Sequence, residues 1–187
     1  MPRKSKRRIL LPFAGFALVA LAYLGFLQID GNFHAVVNGE VYRSAQPSAS
    51  DVGRYRKWVG IRSIINLRGA NPDQAWYREE IRAANAAGIE HYDFMMSASQ
   101  ELQNADIKRL VALMKAAPKP LLIHCKSGAD RSGLAAALYL AEIAGAPLEK
   151  AEGQISFYYG HIGIPYLSAA YPMDATWDRI EADLGKG

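Results

Sequence analysis

The chain has 187 residues, of which 50% are hydrophobic and 21% charged, a composition that excludes a disordered chain and suits one ordinary domain with a core. Its formal charge of +4 is concentrated at Arg3, Lys4, Lys6, Arg7 and Arg8; the 22 Lys and Arg lose these five, the 18 Asp and Glu lose Asp30, and residues 31–187 carry 17 of each sign. That neutral remainder excludes a general nucleic-acid surface, and a single cysteine, Cys125, excludes a disulfide framework and a Cys-rich metal site.

Residues 9–29 (ILLPFAGFALVALAYLGFLQI) carry no charge. As a helix they would be roughly 31 Å long, about one bilayer core. The cations precede this run and Asp30 follows it. The positive-inside rule then predicts a basic cytoplasmic tail at 1–8, a transmembrane anchor at 9–29 and a domain at 31–187 across the membrane. In a bacterial setting this is a single-pass inner-membrane protein with a periplasmic domain. The competing reading is a cleaved signal peptide, since Ala20-Leu21-Ala22 has the small-x-small form. The apolar run continues past that point through Leu27, which favours the anchor.

Further on, Ser48-x-x-Asp51 has the form of a capping box and opens a short helix that Gly60 ends. Residues 61–67 (IRSIINL) read as a strand, 73–87 as a helix ended by Gly88, and 89–95 as a second strand. Asn104 is the expected N-cap of a helix whose buried face is Ile107, Leu110, Val111 and Met114, stopped by Pro118 and Pro120. A third, wholly apolar strand covers 121–123. Helices are expected over 132–144, from Pro147, and over 174–184. Strands separated by helices cannot pair as hairpins. The expectation is therefore a single α/β domain with a mostly parallel central sheet and helices on both faces.

The chemistry concentrates in Leu121 to Gly133, LLIHCKSGADRSG, where an apolar strand meets a small-residue loop and then a helix. Such a loop turns successive N–H groups inward as an anion nest, and the helix N-terminus adds positive potential. A field that binds phosphate also stabilises a thiolate. Cys125 then attacks phosphorus and forms a phosphocysteine, while the fork of Arg131 holds two phosphate oxygens. Lys126, Ser127, Gly128 and Ala129 supply the substrate-binding loop, and Ser132 can donate to the departing sulfur. His124 is placed to buttress the loop.

His124-Cys125-x5-Arg131-Ser132 matches the H-C-x5-R-[S/T] signature of cysteine-based protein tyrosine and dual-specificity phosphatases. With NGEVYRSAQPS and GIRSIINLRG upstream, residues 36–165 resemble the compact bacterial, dual-specificity-like branch. The resemblance implies that branch's fold and phosphomonoester hydrolysis, with the phosphocysteine at Cys125 and oxyanion binding by Arg131 and the N–H groups of Lys126 to Arg131. No cofactor and no metal is implied. The family's general acid is an Asp on a separate loop. The corresponding stretch here, Ser97 to Glu101, has none. Asp130, inside the phosphate loop, is the first candidate acid; Asp93 and Glu101 are the others.

Lys126 is a solvated lysine or a contact for an acidic substrate. Arg68 reads as a structural ion pair or a bridge to the site, and His161 as a packing histidine or a pocket residue. Phe157, Tyr158, Tyr159, Tyr166 and Tyr171 read as core aromatics. With the anchor, the expected substrate is a phosphorylated lipid or glycolipid headgroup. A phosphoprotein is the alternative, and a non-catalytic phosphate-binding module the second alternative. One more reading, a sulfur transferase, leaves Arg131 and Ser132 unexplained.

Overall fold

The computed structural model describes residues 4–185, with side chains from residue 15 onward. Five strands form one sheet in the order β1-β2-β5-β3-β4. The first helix, α1 (Lys4–Asp30), leads into the hairpin β1 (His34–Val37) and β2 (Val41–Ser44). Then come α2 (Ala49–Val59), β3 (Ser63–Asn66), α3 (Ala75–Ala86), β4 (Glu90–Asp93), α4 (Asn104–Ala116) and β5 (Leu121–His124). The chain ends with α5 (Asp130–Glu142), α6 (Leu148–Glu152), a 3-10 turn (Phe157–Tyr159) and α7 (Pro172–Leu184).

The mostly parallel sheet is as expected: β2, β3, β4 and β5 all run the same way. The exception is the antiparallel β1–β2 hairpin, which the sequence reading did not contain. Alternation along the strands feeds two cores. Ile65, Leu121 and Ile123 pack with Leu110, Met114, Leu138 and Trp177 on one face. Ile64 and Leu122 pack with Val52, Tyr55 and Ala84 on the other. Helices thus cover both faces, and α5 is buried along most of its length.

Local signals account for most boundaries. The Ser48–Asp51 capping box is formed, and Gly60 takes a left-handed conformation at the C-cap of α2. The start of α4 differs by one residue: Gln103 is the N-cap, and the Asn104 side chain instead accepts a hydrogen bond from Arg179. Helix α5 opens at Asp130, two residues earlier than expected. Asp130 itself favours the positive end of the helix dipole.

The start of the chain differs more. Among the described residues no helix is long and apolar enough to cross a membrane. The basic tail and residues 9–14 of the expected span lie outside the residues whose side chains are described. Within the described part, the end of α1 packs on the domain. Leu27 is buried, and Tyr23 donates through its hydroxyl to the Tyr158 carbonyl at 2.6 Å. Residues 23–28 of the expected span are thus also the part of α1 that packs on the domain.

Candidate active site

The carboxyl ends of β2, β5 and β3 meet in register, with Ser44 and Asn66 both beside His124. Cys125 follows directly and is 1% exposed. Residues 126–129 then form the loop that enters α5.

The loop's carbonyl oxygens are all held from outside. Lys126 O accepts from Gln46 N at 3.2 Å. Ser127 O accepts from Asn32 Nδ2 at 3.0 Å and from Gln28 Nε2 at 3.3 Å. Gly128 O and Ala129 O both accept from Arg43 Nη2, at 2.8 and 2.9 Å. Because each peptide unit is planar and trans, a carbonyl held outward turns the following N–H inward. Four successive amides, at residues 127–130, therefore face the concave side of the loop. This is an anion nest fixed by its outer contacts.

Arg43 is the central brace. It is fully buried, donates through Nη1 to Gln154 O at 2.6 Å, and lies 4.0 Å from the Tyr159 ring centroid. Burial lowers its pKa to about 10, offset in part by Tyr159, Cys125 and Asp130. It stays a cation at neutral pH, behind the loop, with its charge felt at Cys125. Gly128 sits at φ +73°, and a Cβ there would lie 2.6 Å from Ala45 N. At Gly133 a Cβ would lie 2.9 Å from Gln154 O. Both glycines permit the close approach of the loop to its supports.

On the inner side, Cys125 Sγ is 3.4 Å from Ser132 Oγ. Arg131 donates through Nη1 to Met96 O at 3.2 Å, and its Nε is buried without a partner among the described residues. Of the expected substrate-binding residues, Gly128, Ala129 and Ser132 are buried, Ser127 is partly exposed and Lys126 is exposed.

His124 is buried and donates through Nε2 to Glu80 Oε1 at 2.7 Å. The same carboxylate accepts from His91 at 2.9 Å and from Gln46 at 2.5 Å. Burial pushes the Glu80 pKa up, but His124, His91 and Gln46 outweigh it and hold it at about 2. Glu80, His91 and His124 also bring one potential metal-ligand atom each within 4.8 Å of one another, but each of these atoms already serves a hydrogen bond in this network. Gln46 also accepts from Arg68 at 2.7 Å, and Arg68 lies 3.5 Å from the Trp76 ring centroid. Burial, then Arg131, lower the Arg68 pKa, while Glu80 and Cys125 raise it. Arg68 thus faces the site from beside Arg131.

The three candidate acids stand in different surroundings. Both oxygens of Asp93 are engaged, by Asn66 and Tyr77. Glu101 lies 3.8 Å from Arg179 and is half exposed. Asp130 accepts through Oδ1 from His161 Nδ1 at 2.8 Å, and His161 Nε2 donates to Asp174 Oδ2 at 2.9 Å. Burial opposes charge on His161, but Asp130 and Asp174 prevail and its pKa is raised.

Sequence reasoning did not find Arg43, Gln46, Glu80 or Asp174. It also read the 157–171 aromatics as core. None of the five is buried, and Tyr158 and Tyr166 are 60% and 104% exposed. Phe157 and Tyr158 contact the end of α1, and Tyr159 covers the Arg43 guanidinium.

A buried cysteine, an amide nest, an arginine and a hydroxyl between a parallel strand and a helix define a cysteine-based phosphatase of the protein tyrosine and dual-specificity superfamily. Residues 24–151 match the model of the tyrosine phosphatase family, and the chain belongs to that family. Among solved structures, it is similar to P. aeruginosa TpbA at a TM-score of 0.62 and 20% identity, over 83% of this chain and 92% of that one. It is also similar to the catalytic domain of the PP-IP phosphatase SIW14 from S. cerevisiae, at a TM-score of 0.59 and 20% identity, over 82% and 93%. A curated relative, the beta-lactamase hydrolase-like protein of Xylella fastidiosa, is 33% identical over 94 residues, 49% of this chain. The chain spans 21% of that relative's length.

Proposed function

We infer that this phosphatase hydrolyses phosphomonoesters through a phosphocysteine on Cys125, and that its substrate is a phosphorylated lipid or glycolipid headgroup. The observation that carries the catalytic reading is the set of outward-held carbonyls at 126–129, which aims the intervening amides at the position of a phosphate on Cys125. The Cys125 thiolate attacks phosphorus, and the phosphorus–oxygen bond to the leaving group breaks. Arg131 and the amides hold the equatorial oxygens. Asp130 protonates the leaving oxygen through Oδ2, since His161 occupies Oδ1. Water then attacks the phosphocysteine, Asp130 takes its proton, and Ser132 donates to the departing sulfur.

The lipid reading rests on the uncharged run at 9–29, read as an anchor that leaves the domain on the periplasmic side of a bacterial inner membrane. An anchored site meets membrane substrates at high effective concentration. A cleft of about 930 Å³, lined by Met95, Met96, Gln100, Glu101 and Pro172, opens beside the Arg131 contact at Met96 and gives room for more than a phenyl ring. A phosphotyrosine protein substrate is the second reading, favoured by the similar fold of TpbA in complex with pTyr.

The test uses the full chain in detergent. Vanadate-sensitive hydrolysis of an aryl phosphate, lost in Cys125→Ser, is the expected result; turnover retained in Cys125→Ser overturns the mechanism. Higher kcat/KM for phosphorylated lipids than for tyrosine phosphopeptides supports the lipid reading, and the reverse order replaces it with the second.

A further inference from the structure

We propose that the domain surface around the end of α1 sits in the lipid headgroup layer, with Tyr158 and Tyr166 on one side and Trp58 and Arg54 on the other, so that the catalytic loop is held at headgroup height. This rests on the anchored reading above.

From Tyr23 to Gln28, helix α1 packs on the domain through one face. Tyr23 packs 5.8 Å from the Phe157 ring and donates to Tyr158 O. Leu24 and Leu27 close over Gly160, and Gln28 reaches Ser127 O of the catalytic loop. The other face is bare and apolar: Leu18, Leu21, Phe26 and Ile29 are 69%, 66%, 58% and 88% exposed. A helix packed on a domain in water carries a polar outer face, whereas one apolar all round belongs in a core or a bilayer. Among the described residues no core covers that face.

Length then sets the depth. If the membrane ended where domain packing begins, the 14 residues 9–22 would rise only roughly 21 Å. A hydrocarbon core needs about 30 Å. The run spans only if Tyr23 to Ile29 also lie in or near the bilayer, and the groove that receives them then lies there too.

The groove's rim has the chemistry of that layer. Phe157 and Tyr158 are 45% and 60% exposed, and the chain continues to Tyr166 and Leu167 at 104% and 82%. Across α1, Trp58 is 67% exposed, shares a small cleft with Ile29 and Asp30, and lies 5.0 Å from the Arg54 guanidinium. Amphipathic aromatics concentrate at membrane interfaces, and exposed Arg54 and Lys57 complement anionic headgroups. A second copy of the chain packing on the bare face of α1 is the competing occupant.

The test places the full chain in phosphatidylethanolamine–phosphatidylglycerol vesicles containing lipids brominated on their acyl chains. Trp58 emission is expected to be quenched, with that component lost in Trp58→Phe. A new quenched component is expected in Tyr166→Trp. A Tyr158→Ser/Leu167→Ser variant is expected to keep aryl phosphate turnover and lose about tenfold or more against a vesicle-embedded phosphomonoester. Unquenched Trp58 and Tyr166→Trp in chains that resist alkaline carbonate extraction overturn the proposal. Cross-linking of two copies through the bare α1 face, without quenching, does the same. Release by carbonate removes the anchored reading and this proposal together. Quenching reports position whether or not the enzyme turns over, so failure of the catalytic reading is seen separately, in the aryl phosphate assay.

Discussion

His161 Nδ1 lies 2.8 Å from Asp130 Oδ1, and this bond ties the start of α5, just past the Cys125 loop, to the segment that follows α6. Its partner on the far side of the ring, Asp174, belongs to α7. The imidazole thus holds two carboxylates from separate elements.

That bridge makes stability depend on pH near neutrality. The His161 pKa is raised in the folded protein, so its contribution is fully present below the ordinary histidine value and is lost as pH rises through the higher folded value. Melting temperature should fall across that window, and His161→Asn should flatten the dependence. If Asp130 is the acid, the same variant should lower kcat and shift the alkaline limb of its pH profile, with little change in KM. An unmoved limb would assign His161 to structure alone.

Glu80 works in the opposite sense. Its folded pKa of about 2 lies below the ordinary value of 4.5, so its stabilisation is present above 4.5 and is lost as pH falls towards 2. Glu80→Gln should cost about 3 kcal/mol at neutral pH, because it weakens a buried, charge-assisted network. It should also reduce the acid sensitivity seen by circular dichroism. Equal acid slopes in the two proteins would contradict the assignment.

Arg43 should be more costly to lose than its distance from solvent suggests. Arg43→Met leaves the carbonyls of Gly128 and Gln154 without their donor, and that of Ala129 with the Gly133 N–H alone. Each buried orphan costs about 1–3 kcal/mol. The variant should melt lower and react more slowly with iodoacetamide at about pH 6, where only a thiolate attacks well. Unchanged alkylation would mean that Arg43 holds the loop without influencing the sulfur.

Gly128→Ala tests the loop's shape. The positive φ and the 2.6 Å approach to Ala45 N force the backbone to move. A displacement near 1 Å costs about 100-fold in rate. Aryl phosphate kcat/KM should fall by about that factor while the melting temperature changes less than in Arg43→Met.

Ser132→Ala separates the two chemical steps. With Ser132 Oγ 3.4 Å from Sγ, its loss should slow breakdown of the phosphocysteine more than its formation. A burst of aryl product followed by a slower steady state is the expected trace, with kcat and KM falling together. Absence of a burst, with kcat/KM reduced instead, would place Ser132 in the first step.

The stretch from Leu121 to Gly133 was legible because it joins an apolar run, small residues and a fixed Cys–Arg spacing. The Ser48–Asp51 cap and the α4 apolar face were legible for equally local reasons. The β1–β2 hairpin was not: strands of four residues are too short to show a period, and VYRS places an arginine where a core strand has none. Arg43 is buried only because a loop 85 residues away offers it carbonyls. Glu80 and His124 meet across 44 residues, a distance at which one sequence carries no pairing signal. Tyr158 and Tyr166 looked like core because aromatic residues mostly are, but both stand exposed, Tyr158 beside the end of α1.

The hydrogen bond from Gln28 to Ser127 has a practical side for anyone trimming the chain to make it tractable. A fragment cut at Gly31, the obvious place by hydropathy, discards that brace and uncovers the seat of Leu27 beside Gly160. It would be less active than the protein it stands for. Starting such a fragment at Tyr23 keeps both supports.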